Sequence, residues 1–174
     1  MVGDRGKQEA WLLLVIAVSV NALIVYGFMS RPIVSYHLST PLGYNETIDL
    51  AAGDLIVTLE ASNTGRAPAW VGFVVRLYNA SLAEAQDSAV EDVSQVSIPL
   101  EGPVPPGGGV NRSISLTTSR EASYLVLIFS LEGRRDQSAL AGFYSSFTVL
   151  EPERPTALLL KRIDGLNFKR VTKR

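Results

Sequence analysis

Two hydropathy patterns divide the chain. From Ala10 to Met29, twenty consecutive residues carry no charge, and at helical rise such a run matches a hydrocarbon layer about 30 Å thick. After Arg31-Pro32 the texture changes to short alternating apolar and polar runs, separated by Gly, Pro, Asn and Asp, as strands joined by turns require. The first block predicts one transmembrane helix and the second an all-β domain.

The alternation is clearest where Leu55, Val57, Leu59 and Ala61 point one way and Ile56, Thr58, Glu60 and Ser62 the other. A second run, Ala69 to Tyr78, places Phe73, Val75 and Leu77 on one face, with Asn63-Thr64-Gly65-Arg66-Ala67-Pro68 as the intervening turn. Further strands are expected at Ile33–Ser39, Glu46–Leu50, Val93–Ile98, Asn111–Thr118, Tyr124–Leu131 and Phe143–Leu150, with weak helical periodicity only around Ser81 to Val90. About eight short strands in this length predict an antiparallel β-sandwich. Pro103-Val104-Pro105-Pro106-Gly107-Gly108-Gly109 cannot continue a central strand and is expected to be a long loop.

The 174 residues accommodate one anchor and one domain. The expected division is a cytoplasmic leader at 1–9, the transmembrane helix at 10–29, an extracytoplasmic sandwich at 30–155 and a basic tail at 156–174. The apolar run is longer than that of a cleaved signal, and no Ala-x-Ala follows it. A second processing scheme would cut after Gly6, since the short basic leader before an apolar helix resembles archaeal type IV pilins. Those leaders place Glu five residues after the cut, whereas Glu9 is the third.

Arg5 and Lys7 in the leader favour a cytoplasmic N-terminus. Three of the six Asn residues, Asn45, Asn79 and Asn111, head Asn-x-Ser/Thr acceptors, and all lie beyond the anchor, which favours an outside location for the domain. Within the helix, Asn21 and the nearby Ser19 are polar in a lipid setting and are candidates for a contact with another membrane helix or a second copy.

Charge is segregated as well. Arg31 to Leu160 holds eight Arg, no Lys and 14 acidic residues, whereas Lys161 to Arg174 holds six basic residues against Asp164 alone. An acidic body lacks the positive face that phosphate backbones need, so nucleic acid is not an expected partner. The pairs Lys161-Arg162, Lys169-Arg170 and Lys173-Arg174, interleaved with apolar residues, are candidates for contact with an anionic surface, either lipid headgroups or an acidic partner.

Candidate chemistry is sparse. There is no Cys, which removes disulfides and thiolate sites. His37 is the single imidazole, and no nucleophile elbow, phosphate loop or His-Glu-x-x-His motif accompanies it. Glu84, Asp87, Glu91 and Asp92 lack the alternating spacing of a calcium loop. Neither an enzyme nor a cofactor site is expected.

The run Leu-Ile-Val-Thr-Leu-Glu-Ala-Ser-Asn-Thr-Gly-Arg-Ala-Pro-Ala from Leu55 to Ala69, followed by a second apolar strand, a Pro-Gly loop and the strand Tyr124 to Leu131, resembles immunoglobulin-like modules common on prokaryotic, especially archaeal, cell surfaces. Arg134-Arg135-Asp136 and Phe143 to Val149 are similar in texture to the C-terminal part of an archaeal membrane-protein family known only as a domain of unknown function. The resemblance spans about Leu55 to Leu150 and implies an immunoglobulin-like fold and no active-site residues. The expectation is thus a non-enzymatic, single-pass, glycosylated surface protein whose sandwich binds or scaffolds a membrane or envelope partner. The alternative is a pilin-like filament subunit with the helix in the fibre core.

Overall fold

A computed structural model describes residues 3–80, 91–100, 102–116, 123–134 and 138–171. The first element is helix α1, Gly3–Met29, which begins inside the expected leader. Neither Gly nor Pro occurs between Lys7 and Tyr26, so nothing breaks its backbone ladder. Its part from Gly6 to Met29 is long and apolar enough to cross a membrane, and 6% of its most apolar window is buried. The last turn closes with the Ser30 amide donating to the Tyr26 carbonyl, and Pro32 prevents continuation.

Among the described residues ten strands follow: β1 (Ile33–Ser39), β2 (Thr47–Asp49), β3 (Leu55–Asn63), β4 (Val71–Ala80), β5 (Glu91–Pro99), β6 (Gly109–Leu116), β7 (Tyr124–Gly133), β8 (Val149–Pro152), β9 (Ala157–Asp164) and β10 (Asn167–Val171), with a short helix α2 (Ala139–Ser145) before β8. They form a four-stranded sheet ordered β6-β3-β1-β8 and a six-stranded sheet ordered β2-β10-β9-β7-β4-β5. Strands β1, β3 and β6 take the places of A, B and E in an immunoglobulin-like sandwich, and β4, β5, β7 and β9 those of C, C′, F and G.

The inner faces are those the alternation predicts. Leu55, Val57, Leu59 and Ala61 of β3 and Phe73, Val75 and Leu77 of β4 are all buried. At the centre, Phe129 of β7 meets Tyr36 of β1 and Phe73 of β4 edge to face, at centroid distances of 5.3 and 5.4 Å. These three rings tie the two sheets together in a chain that has no Cys.

Three expectations are corrected. The sandwich is not wholly antiparallel, because β8 pairs parallel with β1, Val149 lying opposite Ile33; α2 carries the chain across so that β8 starts beside the start of β1. The expected strand from Phe143 to Leu150 is α2 followed by the short β8. Here the Ser138 hydroxyl caps the Ala141 amide, and the Ser145 hydroxyl bonds back to the Ala141 and Gly142 carbonyls, so local side-chain bonds outcompete strand propensity. Most of the expected basic tail is instead β9 and β10, whose Leu158, Leu160 and Phe168 are buried in the core; Lys161 and Lys169 take the positions that alternate with them, whereas Arg170 is buried on the same side as Phe168. The weak helical stretch expected at Ser81 to Val90 lies outside the described residues.

The Asn-Thr-Gly turn is a structural knot. Asn63, 1% exposed, donates from Nδ2 to the Ala67 and Val104 carbonyls, and its Oδ1 accepts from the Ile33 and Gly65 amides. Its backbone also bonds to Gly107 and Gly108. Gly65 is pressed so closely on the Arg31 carbonyl and the Ile33 amide that a Cβ there would clash with both. One side chain therefore joins the β3–β4 turn, the Pro-Gly loop and the start of β1, just beyond the helix.

Candidate functional site

The outer face of the four-stranded sheet is polar. Across β1, β3 and β6 the pairing aligns Ser35, Ser62 and Gly109 in one row, His37, Glu60 and Asn111 in the next, and Ser39, Thr58 and Ser113 in a third. Hydroxyl pairs link Ser35 to Ser62 at 3.0 Å and Thr58 to Ser113 at 3.4 Å, while the Ser39 hydroxyl donates to Glu60 at 3.1 Å. An open groove of about 500 Å³ runs along this face, lined by His37, Glu60, Ser62, Asn111 and Arg112, among others.

His37 sits between two carboxylates. Its Nε2 lies 3.5 Å from Glu60 and its Nδ1 3.5 Å from Glu153. A neutral imidazole has one N–H and can donate to only one of them, whereas the protonated ring can donate to both. The carboxylates approach opposite nitrogens, so the three groups do not converge on a point. Among the described residues, no three His, Asp or Glu side chains are grouped to hold a metal ion. Sequence reading singled out His37 but not Glu60 or Glu153. Alternation placed Glu60 on the polar face, but the β1–β3 register that brings it to His37, and the path after β8 that brings Glu153 there, are tertiary properties.

A second constellation lies where α1 meets the sandwich. Gly27 is buried in the last turn of α1, and a Cβ on it would fall 2.5 Å from the Phe147 ring and 2.9 Å from that of Phe143. Phe143 packs on Tyr144 and Phe147, at 5.4 and 5.2 Å between centroids, and Tyr144 stacks on Trp70 at 6.4 Å. A hydrogen bond from Tyr144 to Tyr26, helped by burial, holds the Tyr144 phenol above its ordinary value near 10. On the neighbouring side, the Arg31 guanidinium lies 4.5 Å over the Phe28 ring.

The remaining predicted positions are scattered. Asn45 is exposed with φ 65°, Asn111 is exposed on β6, and Asn79 pairs with Leu125 of β7 and Glu91 of β5. Asn21 donates to the Ala17 carbonyl of its own helix at 2.8 Å, a partner that lowers the cost of an amide in lipid; Ser19 is exposed on the same helix. Lys161 and Lys169 are cross-strand neighbours. Arg162 faces Phe168. Arg170 does not join a surface patch: it is buried, donates to the Leu42 carbonyl and stacks over Tyr44 at 4.2 Å. Glu91 and Asp92 begin β5, and Glu84, Asp87, Lys173 and Arg174 lie outside the described residues.

No protein-family model matches the chain, and no curated protein matches it either. Among solved structures, it is similar to the CARDB domain of a Pyrococcus furiosus protein, solved in complex with di-metal ions, with 11% identity, 59% of this chain and 72% of that one covered, and a TM-score of 0.33. It is also similar to the alkylpurine DNA glycosylase AlkC of Pseudomonas fluorescens, solved on DNA containing an abasic site analog, with 12% identity and a TM-score of 0.33 over 63% of this chain. The match spans 29% of that glycosylase. The chain itself is an immunoglobulin-like β-sandwich preceded by one apolar helix long enough to cross a membrane.

Proposed function

We propose that this protein is a non-enzymatic, single-pass surface module, in which α1 anchors the chain and the polar face of the four-stranded sheet is offered to another envelope component outside. The observation that carries the reading is the bare helix: α1 is exposed along almost its whole length and meets the sandwich at Gly27. An isolated apolar helix of this length is stable when lipid covers it.

Orientation rests on Arg5 and Lys7 in the leader. Asn45 and Asn111, both exposed, then serve as glycan acceptors on the outer side. The role without catalysis is supported by His37, whose two nitrogens both face carboxylates and so leave no imidazole nitrogen to activate a neighbouring hydroxyl. A filament subunit is the second reading, because a protein fibre core could cover the same bare helix.

The absence of native Cys makes topology directly measurable. Lys7→Cys and Asn111→Cys variants are treated in intact cells with a membrane-impermeant maleimide. Position 111 should react at once and position 7 only after permeabilisation. The reverse pattern would refute the orientation, and protection of both would refute surface display.

A further inference from the structure

The depth of α2 in the membrane follows from its contact with α1. Gly27 is two residues from the end of α1, about 3 Å along the helix axis. The rings of Phe143 and Phe147 are in contact with it, so they lie at the level where the hydrocarbon of a spanning helix ends. Trp70 joins them through Tyr144, and Leu140 of α2 is 57% exposed. Arg31 lies two residues beyond the end of α1, and the amide of the exposed Arg66 bonds to its carbonyl. Apolar and aromatic groups with arginines beside them, at the depth of the helix end, have the composition of a membrane interface.

We propose that Leu140, Phe143, Phe147 and Trp70, with Arg31 and Arg66, form a lipid-binding collar that seats the sandwich on the bilayer surface. The inference rests on the reading of α1 as an anchor. Its occupant is phospholipid: the acyl-headgroup boundary for the rings and Leu140, and the phosphates for the arginines. The collar is continuous with the anchor, and only Ser30, Arg31 and Pro32 separate α1 from β1, which leaves no stalk to lift it clear.

The chain has two Trp residues, Trp11 and Trp70, which allows each depth to be read alone in the full-length protein. In phosphatidylcholine–phosphatidylglycerol vesicles, the Trp11→Phe variant reports Trp70 and the Trp70→Phe variant reports Trp11, each against lipids carrying a quencher high or low on the acyl chain. Trp70 emission is expected to be blue-shifted and quenched most by the shallow label, with little loss to aqueous acrylamide. A Leu140→Cys nitroxide should be accessible to oxygen and shielded from a polar nickel reagent. Lipid quenching at Trp11 alone, with Trp70 and position 140 open to the aqueous reagents, would overturn the collar and leave the anchor standing. Lipid quenching at neither Trp would overturn the anchor and the collar together.

Discussion

The amide nitrogen of Asn63 donates to the Val104 carbonyl at 2.9 Å across 41 residues of sequence. Together with the bonds to Ala67, Ile33 and Gly65, it closes the end of the sandwich nearest the helix. Removing the amide leaves buried backbone groups without partners, each worth about 1–3 kcal/mol. Asn63→Ala should therefore destabilise the domain by about 3 kcal/mol in denaturant unfolding of the detergent-solubilised chain. Asn111→Ala, on the exposed face, should stay within about 0.5 kcal/mol of the wild type. Equal stability of the two variants would show that Asn63 closes nothing.

Gly27→Val tests the helix junction. The added side chain would displace the rings of Phe147 and Phe143, at a cost of about 1–3 kcal/mol to the contact between α1 and α2. The sandwich core does not include this contact, so its unfolding midpoint should hold while a spin-label distance between α1 and β4 broadens. A distance distribution unchanged from wild type would mean that the rings do not fix the helix.

The Tyr26–Tyr144 pair supplies the pH dependence. The Tyr144 phenol is raised by its bond to Tyr26 and by burial, so the native state holds that proton more tightly than the unfolded chain. The resulting stabilisation is complete below the ordinary phenol range near 10 and is lost as pH rises through the higher native value. In an alkaline absorbance titration, the Tyr144 phenol, read as the difference between the wild type and Tyr144→Phe, should ionise above its ordinary range. Tyr26→Phe should lower it toward that range, and an unchanged midpoint in that variant would show that the bond to Tyr26 does not raise it.

The C-terminal hairpin carries core residues despite its charge. Phe168 is fully buried, and its truncation to Ala should cost about 3–5 kcal/mol. Deletion of residues 156–174 should prevent folding altogether, read as loss of the native circular dichroism signal. A stable, native-like product would mean that β9 and β10 are dispensable additions.

The mature N-terminus separates the anchor from the filament reading. The N-terminal peptide of protein from native membranes, identified by mass, should begin at Met1 or at Val2. A species beginning at Lys7 would favour the fibre.

Most of the sandwich is legible from alternation, because half-buried strands such as β3 must repeat every two residues. The bounds of β1, Ile33 to Ser39, follow from sequence alone. The C-terminal hairpin was hidden by its Lys-Arg pairs, of which Lys161 and Lys169 alternate with Leu158, Leu160 and Phe168 while Arg170 is buried beside them. The α2 segment misleads because Phe, Tyr, Val and Thr favour strands, while the serine hydroxyls that hold the helix act over three or four residues. Neither candidate site could be read in advance beyond its separate members. His37 meets Glu60 through the register of β1 on β3 and Glu153 through the path after β8, and Gly27 meets Phe147 only once both are placed.

The three-residue link between α1 and β1 sets a reach. From Met29 to His37 the chain is eight residues long, so even fully extended it places the polar groove no more than about 28 Å from the end of the helix. A partner that binds there must come down to the membrane, because the groove cannot rise to meet it. Many copies in one bilayer would hold their grooves within the same thin layer above the lipid. For a partner lying in that layer, the search is reduced from three dimensions to two.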